Sequence, residues 1–246
     1  LIYIMIKSLS IIFPVFNEEL RLKPSFSHIA SFLKKKKKFK TEIIFTDDGS
    51  KDNSYNLITQ FIKNFKTNNK TKIKVIKLKR NSGKGAALKL GVKNAKHEWI
   101  LTTDVDMSVS LFQLLNWTKK KLIDRKYFVY FGSRVHKKSI VKKKILRDIL
   151  GNIMRFFVYT VLNIKIKDTQ CGYKLYKKKI AKLVFSKLKS SGFDHDLEIV
   201  LFLKSKRIKI KELPVKWIHK NNSSLNIFWD PIKMLVGIFL LKFRNF

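Results

Sequence analysis

Through the first half of the chain, short apolar runs alternate with segments whose apolar residues recur at helical spacing. The runs Ser8–Phe13, Glu42–Thr46, Lys72–Leu78, Trp99–Thr103 and Tyr127–Phe131 have the length and composition of buried strands. Helical spacing fills the gaps between them. Glu18–Lys37 is expected to break near Pro24. A second helix runs from Asp52, read as its N-cap, to Phe65, with Leu57, Ile58, Phe61, Ile62 and Phe65 on one face. Lys84–Ala95 and Leu111–Ile123 supply two more. This alternation predicts an α/β fold with an open, mostly parallel twisted sheet flanked by helices.

The order then changes. A long helix over Lys142–Leu162 is followed by a short strand at Tyr173–Tyr176, helices at Lys177–Leu188 and His195–Lys204, and a strand at Lys209–Val215. No repeat and no Pro/Gly/Ser linker interrupts the chain. The expectation is one domain over residues 1–246, with a first half of about 1–135 and a second of about 136–246.

Ligands of open α/β sheets bind beyond the carboxyl ends of the strands, and three predicted strands end in acid. The first runs into Pro14-Val15-Phe16-Asn17-Glu18, the second into Asp47-Asp48-Gly49-Ser50, and the fourth into Asp104-Val105-Asp106. Carboxylates crowded at one edge repel unless a cation or a hydrogen-bond donor compensates. Before the fourth strand lies Ser82-Gly83-Lys84-Gly85, a glycine-bearing loop that opens a helix. It reads either as an anion cradle of backbone N–H groups with Lys84 as a point charge, or as a tight connection eased by glycine. The spacing of a Walker A loop is missing.

With these motifs in this order the sequence resembles the family 2 glycosyltransferases, which share the GT-A fold. The resemblance implies that Pro14, Phe16, Asn17, Glu18, Asp47 and Asp48 hold the nucleoside, with Gly83 and Lys84 near the nucleotide. It also implies that Asp104 and Asp106 hold Mg²⁺ or Mn²⁺ on the donor diphosphate, a ligand set that suits a hard octahedral cation. Gly132-Ser133-Arg134, Asp168–Tyr176 and Phe193–Glu198 are similar to the dolichyl-phosphate β-glucosyltransferase subgroup and its bacterial polyprenyl-phosphate relatives. The run Asp168-Thr169-Gln170-Cys171-Gly172-Tyr173-Lys174 is the most specific of them and favours glucose over mannose. On this resemblance Arg134 and Lys174 contact donor or acceptor phosphate, while Asp196 and Glu198 shape the sugar and acceptor side. A plain alternative for those two acids is a helix N-terminus that favours negative charge. His195, between the acids, is read as a surface histidine and given no role.

The implied reaction is an inverting transfer of a hexose, glucose from UDP-glucose, to a polyprenyl phosphate. A phosphate acceptor is largely ionised near neutral pH, its second pKa being about 6, so no general base is required. The alternatives are a mannosyl transfer from GDP-mannose, a family 2 enzyme with a non-lipid acceptor, and a noncatalytic basic protein that binds nucleic acid or membrane.

Charge adds to the picture without settling it. Lys and Arg number 54 against 17 Asp and Glu, a net charge of +37, which attracts polyanions or reflects compositional drift. Arginine, the usual residue for base readout, is scarce, so no nucleic-acid partner is expected. The apolar stretches Ile149–Ile164 and Ile232–Phe243 are shorter than the roughly 20 residues of a membrane span. With flanking Lys and Arg they read as interfacial helices or as core, and the Phe228–Phe246 segment is taken as membrane-facing. The lysine runs at 34–38, 142–144 and 177–179 read as lipid contacts or as solvated faces. Leu1–Lys7 lacks the features of a signal peptide, and the lone Cys171 excludes an internal disulfide. The expected location is cytoplasmic, peripherally attached to the cytoplasmic face of a membrane.

Overall fold

The computed structural model describes residues 3–36, 39–66, 69–142, 155–192, 194–220 and 229–244. In chain order the first half contains β1 (Ser8–Val15), α1 (Glu19–Lys35), β2 (Lys40–Asp47), α2 (Ser54–Asn64), β3 (Thr71–Lys77), α3 (Lys84–Asn94), β4 (Trp99–Thr102), α4 (Phe112–Lys119) and β5 (Val129–Ser133). The second half contains β6 (Ile140–Lys142), the helical residues 155–162 as α5, β7 (Lys174–Lys177), α6 (Lys178–Lys187), α7 (His195–Ser205), β8 (Ile210–Pro214), β9 (Lys216–Ile218) and α8 (Trp229–Lys242).

Seven strands form one sheet in the order β3-β2-β1-β4-β7-β5-β8, and β6 pairs with β9 in a small second sheet. In the large sheet only β7 runs against its neighbours, β4 and β5. Strands from both halves of the chain therefore share one sheet. β1 and β2 are buried along almost their whole length because helices cover both of their faces. The strand period of two divides their side chains. Ile11, Phe13, Ile43 and Phe45 pack on one face with Leu22, Phe32, Ile58 and Trp117 of α1, α2 and α4. Ile12, Ile44, Ile100 and Phe131 pack on the other with residues of α3, α5, α6, α7 and α8.

Several expectations change. α1 runs unbroken through Pro24. The carbonyl that loses its intrahelical partner there belongs to Leu20, which is exposed, so solvent can satisfy it. Asp52 is not the N-cap of α2. It accepts the N–H groups of Ser54 and of Glu19, which ties the start of α2 to the start of α1. α4 stops at Lys119 because Lys121 turns left-handed and Leu122 and Lys121 donate back to Trp117 and Thr118, a Schellman closure without glycine. Lys142, where a long helix is expected to start, is the last residue of β6. Residues 143–154 lie outside the described residues, and helix is present over 155–162. Lys36, in one of the lysine runs, is buried and donates to the carbonyls of Phe39 and Lys70. Among the described residues no helix is long and apolar enough to cross a membrane.

Candidate active site

β1 has β2 on one side and β4 on the other, so the strand order reverses beside it. This opens the crevice that α/β sheets use for ligands, and it brings the three acidic strand ends together although 30 to 90 residues separate them in the chain. Beyond β1, Asn17 adopts φ 52°, a left-handed conformation that asparagine tolerates. Its N–H donates to Ser50 Oγ (3.0 Å), and its Oδ1 accepts from the Lys51 N–H (2.9 Å). Glu18 N–H donates to Ser54 Oγ (2.8 Å). The ends of β1 and β2 are thus one interlocked unit, with Pro14 and Phe16 at its partly exposed surface.

The two aspartates that end β2 differ in task. Asp48 accepts the N–H groups of Ser82 (2.8 Å) and Gly83 (2.7 Å), so it holds the glycine loop. Burial raises the Asp48 pKa, those two amides oppose the rise, and Asp47 adds to it. Asp47 is fully buried, and its Oδ1 has no hydrogen-bond partner. The glycine loop is less open than an anion cradle would be. Its Ser82 and Gly83 amides serve Asp48, and the Gly85 amide donates to Ser191 O (2.8 Å). What the loop offers an anion is the side chain of Lys84.

Lys84 Nζ lies 2.5 Å from Asp104 Oδ1. Burial would raise the Asp104 pKa, yet Lys84 outweighs it and holds the carboxyl below its usual range. Gly172 passes so close that a Cβ there would strike the Asp104 carboxylate. Asp106 accepts from both the amide and the hydroxyl of Ser108 (2.8 Å each), and Ser25 of α1 donates to the intervening Val105 carbonyl. Beneath Asp104 is a small pocket lined by Pro14, Lys84, Thr102, Thr103, Gly172, His195 and Asp196.

Asp196 lines it, and Lys174 stands behind Asp196. Lys174, 2% exposed, donates to Asp196 Oδ1 at 2.5 Å and lies over the ring of Phe131. The resemblance to the family implies a phosphate contact for Lys174. The structure corrects this, because the ammonium is enclosed and reaches the pocket only through Asp196. Burial opposes the charge of Asp196, but His195, Lys174 and Lys84 hold its pKa well below the carboxylate range.

His195 was missed. It is 1% exposed rather than a surface residue, its Nδ1–H donates to Gly192 O (2.7 Å), and its Nε2 lies 3.2 Å from Asp196 Oδ1. A signal existed: beyond its acids α7 is apolar on every side, which marks a buried helix. Glu198 also departs from expectation. It is buried, accepts the N–H groups of Lys189 (2.9 Å) and Ser190 (2.6 Å), and pairs with Arg244 (2.9 Å). Of these two acids only Asp196 lines the pocket, together with Asp104. Arg134 grips Asp168 through Nε and Nη2 at 2.8 Å each, and the Arg134 amide donates to the same carboxylate (2.7 Å). Burial would raise the Asp168 pKa, but this fork overrides it and holds the group ionised. Burial pushes the Cys171 thiol up to about 12, so it is inert at neutral pH.

Electrostatics marks the remaining deficit of positive charge. Glu18 is pushed up to about 7, first by burial and then by Asp106 and Asp104, against the opposing effects of Arg21 and Lys84. Its Oε2 accepts no hydrogen bond. Hard carboxylate oxygens crowded in this way suit a divalent cation. Among the described residues no three His, Cys, Asp or Glu side chains converge on one metal position. These carboxylates would furnish only part of a coordination shell and leave the rest to substrate oxygens and water.

The comparisons agree with this geometry. The family model described as "Glycosyl transferase family 2" matches residues 10–185. The dolichyl-phosphate beta-glucosyltransferase of Dictyostelium discoideum is 34% identical, over 96% of this chain and 74% of its own length. The human enzyme of that name is 31% identical, over 97% and 76%, and the Saccharomyces cerevisiae one 28% identical, over 95% and 74%. Among solved structures, glucosyl-3-phosphoglycerate synthase from Mycobacterium tuberculosis, in complex with Mn²⁺, UDP and glucosyl-3-phosphoglycerate, has a TM-score of 0.69 at 14% identity, covering 96% of this chain and 80% of that one. Mannosyl-3-phosphoglycerate synthase from Rubrobacter xylanophilus has a TM-score of 0.64 at 11% identity, covering 95% and 72%. The fold is that of the GT-A glycosyltransferases, and the chain belongs to glycosyl transferase family 2.

Proposed function

We propose that this glycosyltransferase moves glucose from UDP-glucose to dolichyl phosphate or a similar polyprenyl phosphate, with inversion at the anomeric carbon, at the cytoplasmic face of a membrane. The observation that carries the reading is similarity along more than nine tenths of the chain to dolichyl-phosphate beta-glucosyltransferases. The site geometry supports it and suggests what each residue does.

The uncompensated Asp47 Oδ1 accepts an N–H of the donor's base, while Pro14, Phe16, Asn17 and Glu18 flank the nucleoside. Asp48 fixes Gly83 so that Lys84 projects at the diphosphate. Asp104 and Asp106 hold Mg²⁺ or Mn²⁺, with Lys84 neutralising Asp104 in the ligand-free protein. When bound, the cation supplies Lewis-acid stabilisation to the departing nucleoside diphosphate. Asp196, kept ionised by Lys174 and His195, faces the pocket beneath Asp104 and orients the sugar. The edge of Arg134 that Asp168 does not use faces the acceptor phosphate. The acceptor oxygen, already ionised, displaces the diphosphate in line and needs no base. The protein's contribution is to hold two anions together in a prepared field.

A membrane surface fits the exposed apolar residues of two helices that share the second core cluster. α5 exposes Phe156, Phe157 and Tyr159, and α8 exposes Val236, Phe239, Leu240 and Phe243, while Val158, Leu162, Ile238 and Leu241 face inward. Arg155, Lys165 and Lys242 flank these patches, as at an anionic interface.

The test is to incubate the protein with labelled UDP-glucose or GDP-mannose, Mn²⁺ and polyprenyl phosphate, and then to extract lipid. Label from UDP-glucose in the lipid fraction is expected. Label from GDP-mannose alone overturns the sugar, and no label from either donor overturns the acceptor.

A further inference from the structure

The loop over residues 188–192 is held from two sides. On one side its carbonyls serve α3: Ser191 O accepts the Gly85 amide (2.8 Å), and Leu188 O accepts the ammonium of Lys89 (2.8 Å). The fit is tight. A Cβ on Gly85 would stand 2.5 Å from Ser190 O, and one on Gly83, whose φ is +95°, would strike Ser191 O. On the other side the amides of Lys189 and Ser190 both donate to Glu198. Glu198 is 4% exposed, and a carboxylate so enclosed is costly unless its charge is paired.

The paired charge comes from just beyond the end of α8. Arg244 Nη1 lies 2.9 Å from Glu198 Oε2 and 3.3 Å from Ser190 Oγ. Within α8, Gly237 lies against Asp194, where a Cβ would come within 2.9 Å of the aspartate Cβ. α8 and the turn that follows it therefore touch both the start of α7 and the loop that braces the glycine turn carrying Lys84.

We propose that Arg244 is a positioning residue for donor binding, acting through Glu198 and the Ser190-Ser191 loop to hold Gly83–Gly85 and hence Lys84 in place. The proposal rests on the donor reading above, with Lys84 at the diphosphate. It gives α8 a second task besides any contact with lipid. Because coupling between two sites is reciprocal, a surface that orders α8 also tightens donor binding.

The experiment compares wild type with Arg244→Ala and Arg244→Lys. Hydrogen exchange of the ligand-free proteins is read at Gly85, Lys189 and Ser190. UDP binding with Mn²⁺ is read by calorimetry, and KM and kcat are read for each substrate. In Arg244→Ala we expect faster exchange at those amides, UDP affinity lower by about 5-fold or more, the low end of coupling between separated sites, and a raised donor KM. Acceptor KM and kcat at saturating donor should change little. Arg244→Lys, which keeps the charge, should recover much of the loss. Unchanged exchange and unchanged UDP affinity in Arg244→Ala overturn the proposal, as does a defect confined to acceptor KM, which would mark a lipid contact only. Wild type that binds no UDP overturns the donor reading instead, and the exchange result then judges the brace by itself.

Discussion

Lys84, at the first position of α3, and Asp104, just beyond β4, meet at 2.5 Å between Nζ and Oδ1. The contact joins the glycine loop to the acidic end of β4 across the reversal in strand order. A charge-assisted bond of this kind is worth about 1.5–3 kcal/mol. Replacing Lys84 by Met should therefore lower kcat/KM for the donor about 10- to 100-fold. Asp104→Asn should do more, about 100-fold or beyond in kcat, because in the proposed role it also removes a cation ligand. Steady-state kinetics with the donor varied measures both, and a Lys84→Met enzyme with unaltered donor KM would place the diphosphate elsewhere.

Arg134 and Asp168 make the most completely bonded ion pair of the site. Removing one member of a buried pair costs about 3–5 kcal/mol, and the partial exposure of Arg134 puts Asp168→Asn at the low end of that range. Since the folded pKa of Asp168 is depressed, its contribution is present above the ordinary value of 3.8 and is lost as pH falls through the lower folded value. Urea unfolding should show wild type and variant separated at pH 7 and converging below pH 3.8.

Glu18 has the opposite sign. Its pKa rises from 4.5 to about 7 on folding, so the native state resists its ionisation, and the cost grows across that interval. In chelator, Glu18→Gln should be more stable than wild type at pH 8 by about 3 kcal/mol, with the gap closing below pH 4.5. Thermal melts across pH read this directly. Mn²⁺ with UDP should narrow the gap at pH 8 by stabilising wild type more than the variant, because added positive charge also favours the ionised Glu18.

Phe239 and Phe243 stack edge to face on the exposed side of α8. If that side meets lipid, Phe239→Ser with Phe243→Ser should weaken sedimentation with anionic vesicles by about 10-fold or more. The acceptor KM should rise with it. Equal sedimentation of variant and wild type would remove α8 from the membrane contact.

Much of the fold is legible in the chain because its determinants are local. Strand runs such as Ser8–Phe13, helical spacing such as Leu57–Phe65, and acids just after strands all reflect periodicities of the backbone itself. The acidic strand ends, with the Asp168–Tyr176 run, lead to the glycosyltransferase family without coordinates. What the chain does not reveal is partnership. Asp48 and Asp47 are neighbours of identical chemistry, yet one holds Gly83 and the other ends with an unpartnered oxygen. Lys174 and Arg134 are both basic residues of family motifs, yet one is sealed behind Asp196. His195 is buried beside Asp196 only because α7 packs into the core. Glu198 serves a loop and Arg244 rather than a sugar. These outcomes depend on which strand lies beside which and on how much water each carboxylate retains. Both are set by packing between residues far apart in the chain, and so only the tertiary structure decides them.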